Sequence, residues 1–238
     1  ALAAHLACSY QALETAQPTG TPAEKTGHPF DAVAYVRSDP AYRQAVVALC
    51  RVIQERLGSF LTHSYLHGSL ATLDYAAGWS DVDTFLVIRR PVVTDAAALL
   101  ELRRLCLEAW PLFRRICPLQ HHGFIIASAP DLVSYPSQYL PPPVFDAALA
   151  LLPDQPPLRL FVRPGDSGVL HSLVERRQAL QRAVREGVLK HHPNEGVYLQ
   201  AGYRNADNGM IQLFSLLGYL MTVPAYLLDA RGQACYKK

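Results

Sequence analysis

Little in this chain of 238 residues points to nucleic acid, to a disulfide framework or to a membrane. Its 22 basic and 20 acidic residues leave a formal net charge of +2, without the excess that a polynucleotide binder carries as a basic stripe. Nucleic acid is therefore disfavoured as a partner and a small molecule favoured. There are only five cysteines, Cys8, Cys50, Cys106, Cys117 and Cys235, and no two form a metal-type C-x-x-C pair. Free thiols in a reducing, cytoplasmic setting are the simplest expectation. Ala1 to Ala12 is mildly apolar but has neither the basic start nor the long apolar core of a signal peptide. One long uncharged run exists, Asn208 to Leu228, about long enough to cross a bilayer at roughly 1.5 Å per residue. Gln212, Ser215, Gly218, Thr222 and Pro224 interrupt it, so it reads as a buried helix and no membrane association is expected. No internal repeat or low-complexity tract is visible.

Half of the chain is apolar, enough for a substantial core in one large domain or two small ones. Within it, Leu66-His67-Gly68-Ser69 is followed, eleven residues on, by Asp81-Val82-Asp83 and then Thr84-Phe85-Leu86-Val87-Ile88. Residues 82 to 88 have the β-branched and aromatic composition of a strand, so Asp81 and Asp83 share one face at its start. Two carboxylates this close repel unless a cation neutralises them, and Mg²⁺ typically takes one or two carboxylates together with substrate phosphates. Gly68-Ser69 suits the same chemistry, because glycine lets a backbone N–H approach a phosphate and serine adds a short donor.

In order and spacing these segments resemble the signature of the polymerase-β-like nucleotidyltransferase superfamily, in which a glycine followed by Gly or Ser precedes an acid-hydrophobic-acid triplet. The resemblance covers residues 61 to 90, including the apolar Leu66, Gly78-Trp79-Ser80 before the acids and the hydrophobic strand after them. The C-terminal helical part resembles the pattern in small-molecule, aminoglycoside-type nucleotidyltransferases, where a helical domain completes a cleft against the catalytic sheet. The resemblance implies that Asp81 and Asp83 hold Mg²⁺ or Mn²⁺ and that Gly68 and Ser69 position the phosphates of a nucleoside triphosphate, with ATP the first choice. It implies transfer of a nucleoside monophosphate to a hydroxyl of a small-molecule acceptor, with release of pyrophosphate.

Family members usually carry a third carboxylate on a later strand, and the corresponding segment here, Leu119-Gln120-His121-His122-Gly123-Phe124-Ile125-Ile126, has no acid. Gln120, His122 and Phe124 share one face of that expected strand. His122 is the first choice for the missing metal ligand or general base, with His121 behind it, since imidazole both binds divalent metals and titrates near neutrality. Imidazole matches Mn²⁺ better than the harder Mg²⁺. Asp131 is a further candidate for the third acid, although Ala129-Pro130-Asp131-Leu132 reads equally well as a helix start. The missing acid also leaves open an inactive nucleotide- or partner-binding module of the same fold, and the acceptor could be a protein hydroxyl.

The remaining sequence organises around this motif. Ser38-Asp39-Pro40 predicts a helix start, with helical spacing from Ala41 through Leu57 up to Gly58. A strand is expected over 62 to 67, a helix from Thr94-Asp95 to about Phe113, a short helix over 144 to 151 and an edge strand over 158 to 162. The expected fold class is α+β: a nucleotidyltransferase-like mixed sheet with helices on one face, the other face left open for a site, plus a C-terminal helical domain. The catalytic domain is placed at residues 1–165, with an N-terminal helical extension, and the helical domain at 166–238. In the latter, Glu175, Arg176, Arg177 and Arg182 form a charged helix face, followed by Lys190-His191-His192. The arginines could clamp a triphosphate, or the run is simply solvated. Tyr198, Tyr203, Asn205, Asp207 and Asn208 read as polar lining, and Tyr65, Tyr75 and Trp79 as aromatics that stack on a base or pack.

Overall fold

The computed structural model describes residues 1–12, 17–18, 20–37, 39–118, 120, 122–137, 140–163 and 168–186, together with 217, 220, 223–224, 226–228, 231 and 233. The chain divides into two compact units, residues 1–136 with 142–166, and residues 137–141 with 167–238.

The first unit begins with α1 (Leu2–Ala12), β1 (Thr21–Lys25), β2 (His28–Pro29) and α2 (Ala32–Val36). α3 (Pro40–Val52) starts where the sequence predicts, because the Asp39 carboxylate accepts the Tyr42 N–H and Pro40 needs no partner in the first turn. Past Val52 the backbone loosens into a π turn, Ile53–Leu57, then tightens into a 3₁₀ turn, Gly58–Phe60, that delivers β3 (Leu61–His67). A single helical turn, α4 (Ser69–Thr72), precedes β4 (Asp83–Ile88) and a second short helix, α5 (Arg90–Val93). α6 (Ala96–Ile116) is capped by the Asp95 carboxylate, which accepts from the N–H groups of Ala97 and Ala98. β5 (Ile125–Ser128), β6 (Leu149–Ala150) and β7 (Leu158–Val162) complete the unit, with 3₁₀ turns at Ala129–Ser134 and Pro142–Ala147.

Five strands form a mixed sheet in the order β2-β6-β3-β4-β5, so the α+β class holds. β3 is antiparallel to both β4 and β6, while β4 and β5 run parallel. On one face Leu66, Leu86 and Ile88 bury themselves against Val46, Leu49 and Cys50 of α3 and Leu102, Leu105 and Phe113 of α6. Each such side chain contributes about 1.5–3 kcal/mol by leaving water.

The opposite face is not open along its length, contrary to the sequence expectation. Strand alternation sends Tyr65 and Phe85 to that side, and Phe145 packs its ring edge against both, at centroid distances of 5.3 and 5.0 Å. All three are fully buried. Phe145 lies in the 3₁₀ turn that occupies the region expected as a helix over 144–151, and Leu149 and Ala150 then join the sheet as β6. Adjacent prolines at 141–143 explain the tight turn in place of an α-helix. β7 pairs antiparallel with β1 in a separate two-stranded sheet instead of forming an edge of the main one.

In the second unit α7 spans Gly168–Glu186, and residues 217, 220, 223–224 and 226–228 are also helical. Most of the helix expected over 205–228 lies outside the described residues. Among the described residues, no helix is long and apolar enough to cross a membrane.

Truncating the aromatic plug should show how much the covered face matters. Phe145→Ala is expected to lower unfolding stability by about 3–5 kcal/mol, the range for removing a buried aromatic ring, as read from urea denaturation midpoints at constant slope.

Candidate metal centre

β3 and β4 are in register such that His67 sits across from Asp83, and the chain leaves β3 through Gly68 at the same end where it enters β4. The two motif halves therefore meet because antiparallel pairing brings the end of one strand to the start of the next. Gly68 has φ 70° and ψ −158°, a conformation that L side chains rarely adopt. A Cβ there would collide with the Asp83 carboxylate, lying 3.2 Å from its Cγ. Glycine is thus required twice over, by backbone conformation and by the carboxylate against it. Ser69 follows as the first residue of α4, half-buried, and the Gly68 carbonyl accepts from the N–H groups of Ala71 and Thr72.

His122 completes the cluster. Its Nε2 lies 3.3 Å from Asp81 Oδ2 and 3.3 Å from Asp83 Oδ1, and one ligand-type atom from each of the three residues falls within 4.8 Å of the others. Side-chain exposures of 10%, 17% and 18% for Asp81, Asp83 and His122 keep most water out, so charge interactions are strong. Burial pulls the His122 pKa down, but hydrogen bonds and attraction from the two carboxylates outweigh it and hold the imidazole well above its ordinary 6.5. The charged form of the imidazole is thereby favoured between the two carboxylates.

The other ring nitrogen fixes the tautomer available to a metal. Nδ1 is 3.0 Å from the Gly123 carbonyl oxygen, which can only accept, so Nδ1 carries a proton and Nε2 is the nitrogen turned to the carboxylates. A ligating histidine that donates its remote N–H to a backbone carbonyl is the usual second layer of a metal site. Two carboxylate oxygens and this Nε2 form a donor set that fits a divalent cation.

His122 is not on a strand, as the sequence reading had it. β5 begins only at Ile125, and residues 122–124 are irregular. The reason lies in Gln120, which is nearly fully buried. Its side-chain oxygen accepts the Val82 N–H at 2.8 Å, and its amide nitrogen donates to the Val82 carbonyl at 3.1 Å and the His122 carbonyl at 2.7 Å. A side chain thus occupies both hydrogen-bonding groups of Val82 that a longer strand would have paired. Sequence reasoning placed Gln120 beside His122 but saw no role for it.

Other expected participants lie elsewhere. Asp131 is an N-terminal cap: its carboxylate accepts from the Ser128 N–H at 2.7 Å and the Ser128 hydroxyl at 2.6 Å, and from the Tyr10 hydroxyl at 3.3 Å. It does not supply the third acid. Tyr65 is core. Tyr75 stacks on Tyr42 at 5.0 Å, donates to Asp39 at 2.7 Å and accepts from the buried Arg43 at 2.8 Å. Trp79 is half-buried, and its carbonyl accepts from the Cys117 thiol at 3.6 Å. In the second unit Arg176 lies over the Tyr226 ring, while Glu175, Arg177 and Arg182 are exposed. His121, Lys190, His191, His192, Tyr198, Tyr203, Asn205, Asp207, Asn208 and Cys235 fall outside the described residues. Cys8, Cys50, Cys106 and Cys117 are free thiols, and burial pushes Cys50 and Cys106 up to about 12.

Two outcomes follow from this geometry. Gly68→Ala should destabilise the fold by about 1–3 kcal/mol from the positive-φ backbone alone, with a further loss from displacing Asp83, measured by thermal unfolding. For metal-free protein, a raised histidine pKa means stabilisation that is complete below the ordinary 6.5 and is lost as pH rises through the folded-state value. The Tm gap between wild type and His122→Gln should therefore be wide at pH 6 and shrink toward pH 9. A gap that widens with pH would contradict the contact.

No protein-family model, curated protein or solved structure matches the chain, so the reading of this site rests on its own geometry.

Proposed function

We propose that the protein moves a nucleoside monophosphate from a nucleoside triphosphate, ATP first among them, to a hydroxyl of a small-molecule acceptor and releases pyrophosphate. The carrying observation is the convergence of Asp81, Asp83 and His122 within 4.8 Å, with Gly68 pressed against the Asp83 carboxylate. In this reading Asp81, Asp83 and His122 Nε2 hold Mg²⁺ or Mn²⁺, and the mixed oxygen and nitrogen set suits Mn²⁺ at least as well as Mg²⁺. Such a cation, once bound, neutralises phosphate charge and lowers the pKa of an acceptor hydroxyl.

The chain's own residues do the positioning. Gly68 lets the backbone come close to a phosphate, and the Ser69 hydroxyl offers a donor beside it. The acceptor oxygen bonds to the α-phosphorus as the bond from that phosphorus to the departing pyrophosphate breaks. With Nδ1 donating to Gly123, Nε2 is the His122 atom that would either hold the cation or accept the proton of the acceptor hydroxyl.

A second reading is a nucleotide-binding module of the same fold without transfer, favoured by an imidazole where a third carboxylate is usual. The two separate in one assay. Incubation with Mg²⁺ or Mn²⁺, each of the four common nucleoside triphosphates and a pool of hydroxylated small molecules should release pyrophosphate. Asp83→Asn should cut that release by at least about a thousandfold, because several kcal/mol of charge stabilisation is lost, while the fold persists. Nucleotide binding that depends on metal but releases no pyrophosphate would favour the second reading, and turnover indifferent to Asp83→Asn would reject the first.

A further inference from the structure

We infer that Gln120 is the positioning residue of the metal centre: one buried side-chain amide sets the backbone that presents all three ligands. The inference rests on the proposal that Asp81, Asp83 and His122 bind a divalent cation. Val82 stands between the two aspartates, so whatever fixes its peptide groups fixes the directions in which both carboxylates leave the chain. Gln120 Oε1 accepts from the Val82 N–H at 2.8 Å, and Gln120 Nε2 donates to the Val82 carbonyl at 3.1 Å. That is the pattern of a ladder rung, supplied by a side chain at the point where β4 has no backbone neighbour from β5, which first pairs at Phe85 with Ile125. The same Nε2 donates its second hydrogen to the His122 carbonyl at 2.7 Å. A primary amide has one acceptor oxygen and two N–H donors, and here all of them are used.

No other side chain type does this at the same length. Glutamate keeps the acceptor but loses both donors, methionine keeps the volume and loses all three bonds, and asparagine keeps the amide but is one methylene short. Gln120 is itself held by its backbone N–H donating to the Cys117 carbonyl at 3.0 Å, directly after α6 ends at Ile116. The end of α6 is thereby tied to the start of β4, and the irregular residues 122–124 hang between this anchor and β5. His122 reaches the carboxylates from a segment without strand pairing because Gln120 holds its carbonyl.

The test is Mn²⁺ binding to the full chain, followed by electron paramagnetic resonance at a temperature well below unfolding, so that only folded protein is read. Wild type should bind Mn²⁺ in a manner that Asp81→Ala abolishes. Gln120→Met should then weaken Mn²⁺ by about 10- to 100-fold, the usual effect of removing a partner that orients metal ligands, with the far-ultraviolet circular dichroism unchanged. Gln120→Asn should fall between the two, and it carries the test by itself if the methionine variant does not fold. A structural role alone would lower Tm and leave the Mn²⁺ affinity of the folded protein where it was. Folded Gln120 variants that bind Mn²⁺ within twofold of wild type would overturn the inference and leave the metal centre standing. Wild-type binding that ignores Asp81→Ala would instead overturn the metal centre, and the role of Gln120 with it.

Discussion

Two carboxylates held side by side at the mouth of a sheet are the constraint around which the rest of the first unit is arranged. Asp81 and Asp83 are largely shielded from water, where like charges repel most strongly, so a positive partner has to stand between them. His122 stands in that place, its Nε2 3.3 Å from an oxygen of each, and its charged form is favoured there.

Everything near the carboxylates serves to keep them from relaxing apart. Antiparallel pairing places the exit of β3 against the entry of β4, and Gly68 brings backbone so close to Asp83 that no side chain could fit. Behind the strands, α3 and α6 bury Leu66, Leu86 and Ile88, and on the other side Phe145 closes over Tyr65 and Phe85. With both faces packed at mid-strand, the strand ends are where polar groups converge. Farther along, Arg43 joins the Tyr35 carbonyl to the Tyr75 hydroxyl and Tyr75 reaches Asp39, which anchors the segment between α4 and β4 to the start of α3. The Tyr75 ring, stacked on Tyr42, is held by this brace.

Much of the scaffold was legible because its signals are local. Asp39-Pro40 and Asp95 mark helix starts by side-chain bonds to nearby N–H groups, and the apolar run from Thr84 to Ile88 marks a strand without reference to anything distant. The short helix expected over 144–151 failed where consecutive prolines outweighed apolar spacing. The strand expected up to Ile126 begins only at Ile125, because alternation says which side chains share a face, but not whether the backbone beside them is free to pair.

By itself the sequence determined the chemical alphabet of the site: a glycine before a serine, two acids one residue apart, a strand to carry them and a histidine in a segment without acids. Those are properties of residue type and short spacing, and they hold whatever the chain does elsewhere. Tertiary structure alone decided that His122 would face both aspartates while Asp131 capped a 3₁₀ turn, and that Gln120 would bond the peptide between the acids across 38 positions of chain. Such choices depend on which buried donor meets which buried acceptor once the helices and sheet have packed, since each such group left unpaired costs about 1–3 kcal/mol.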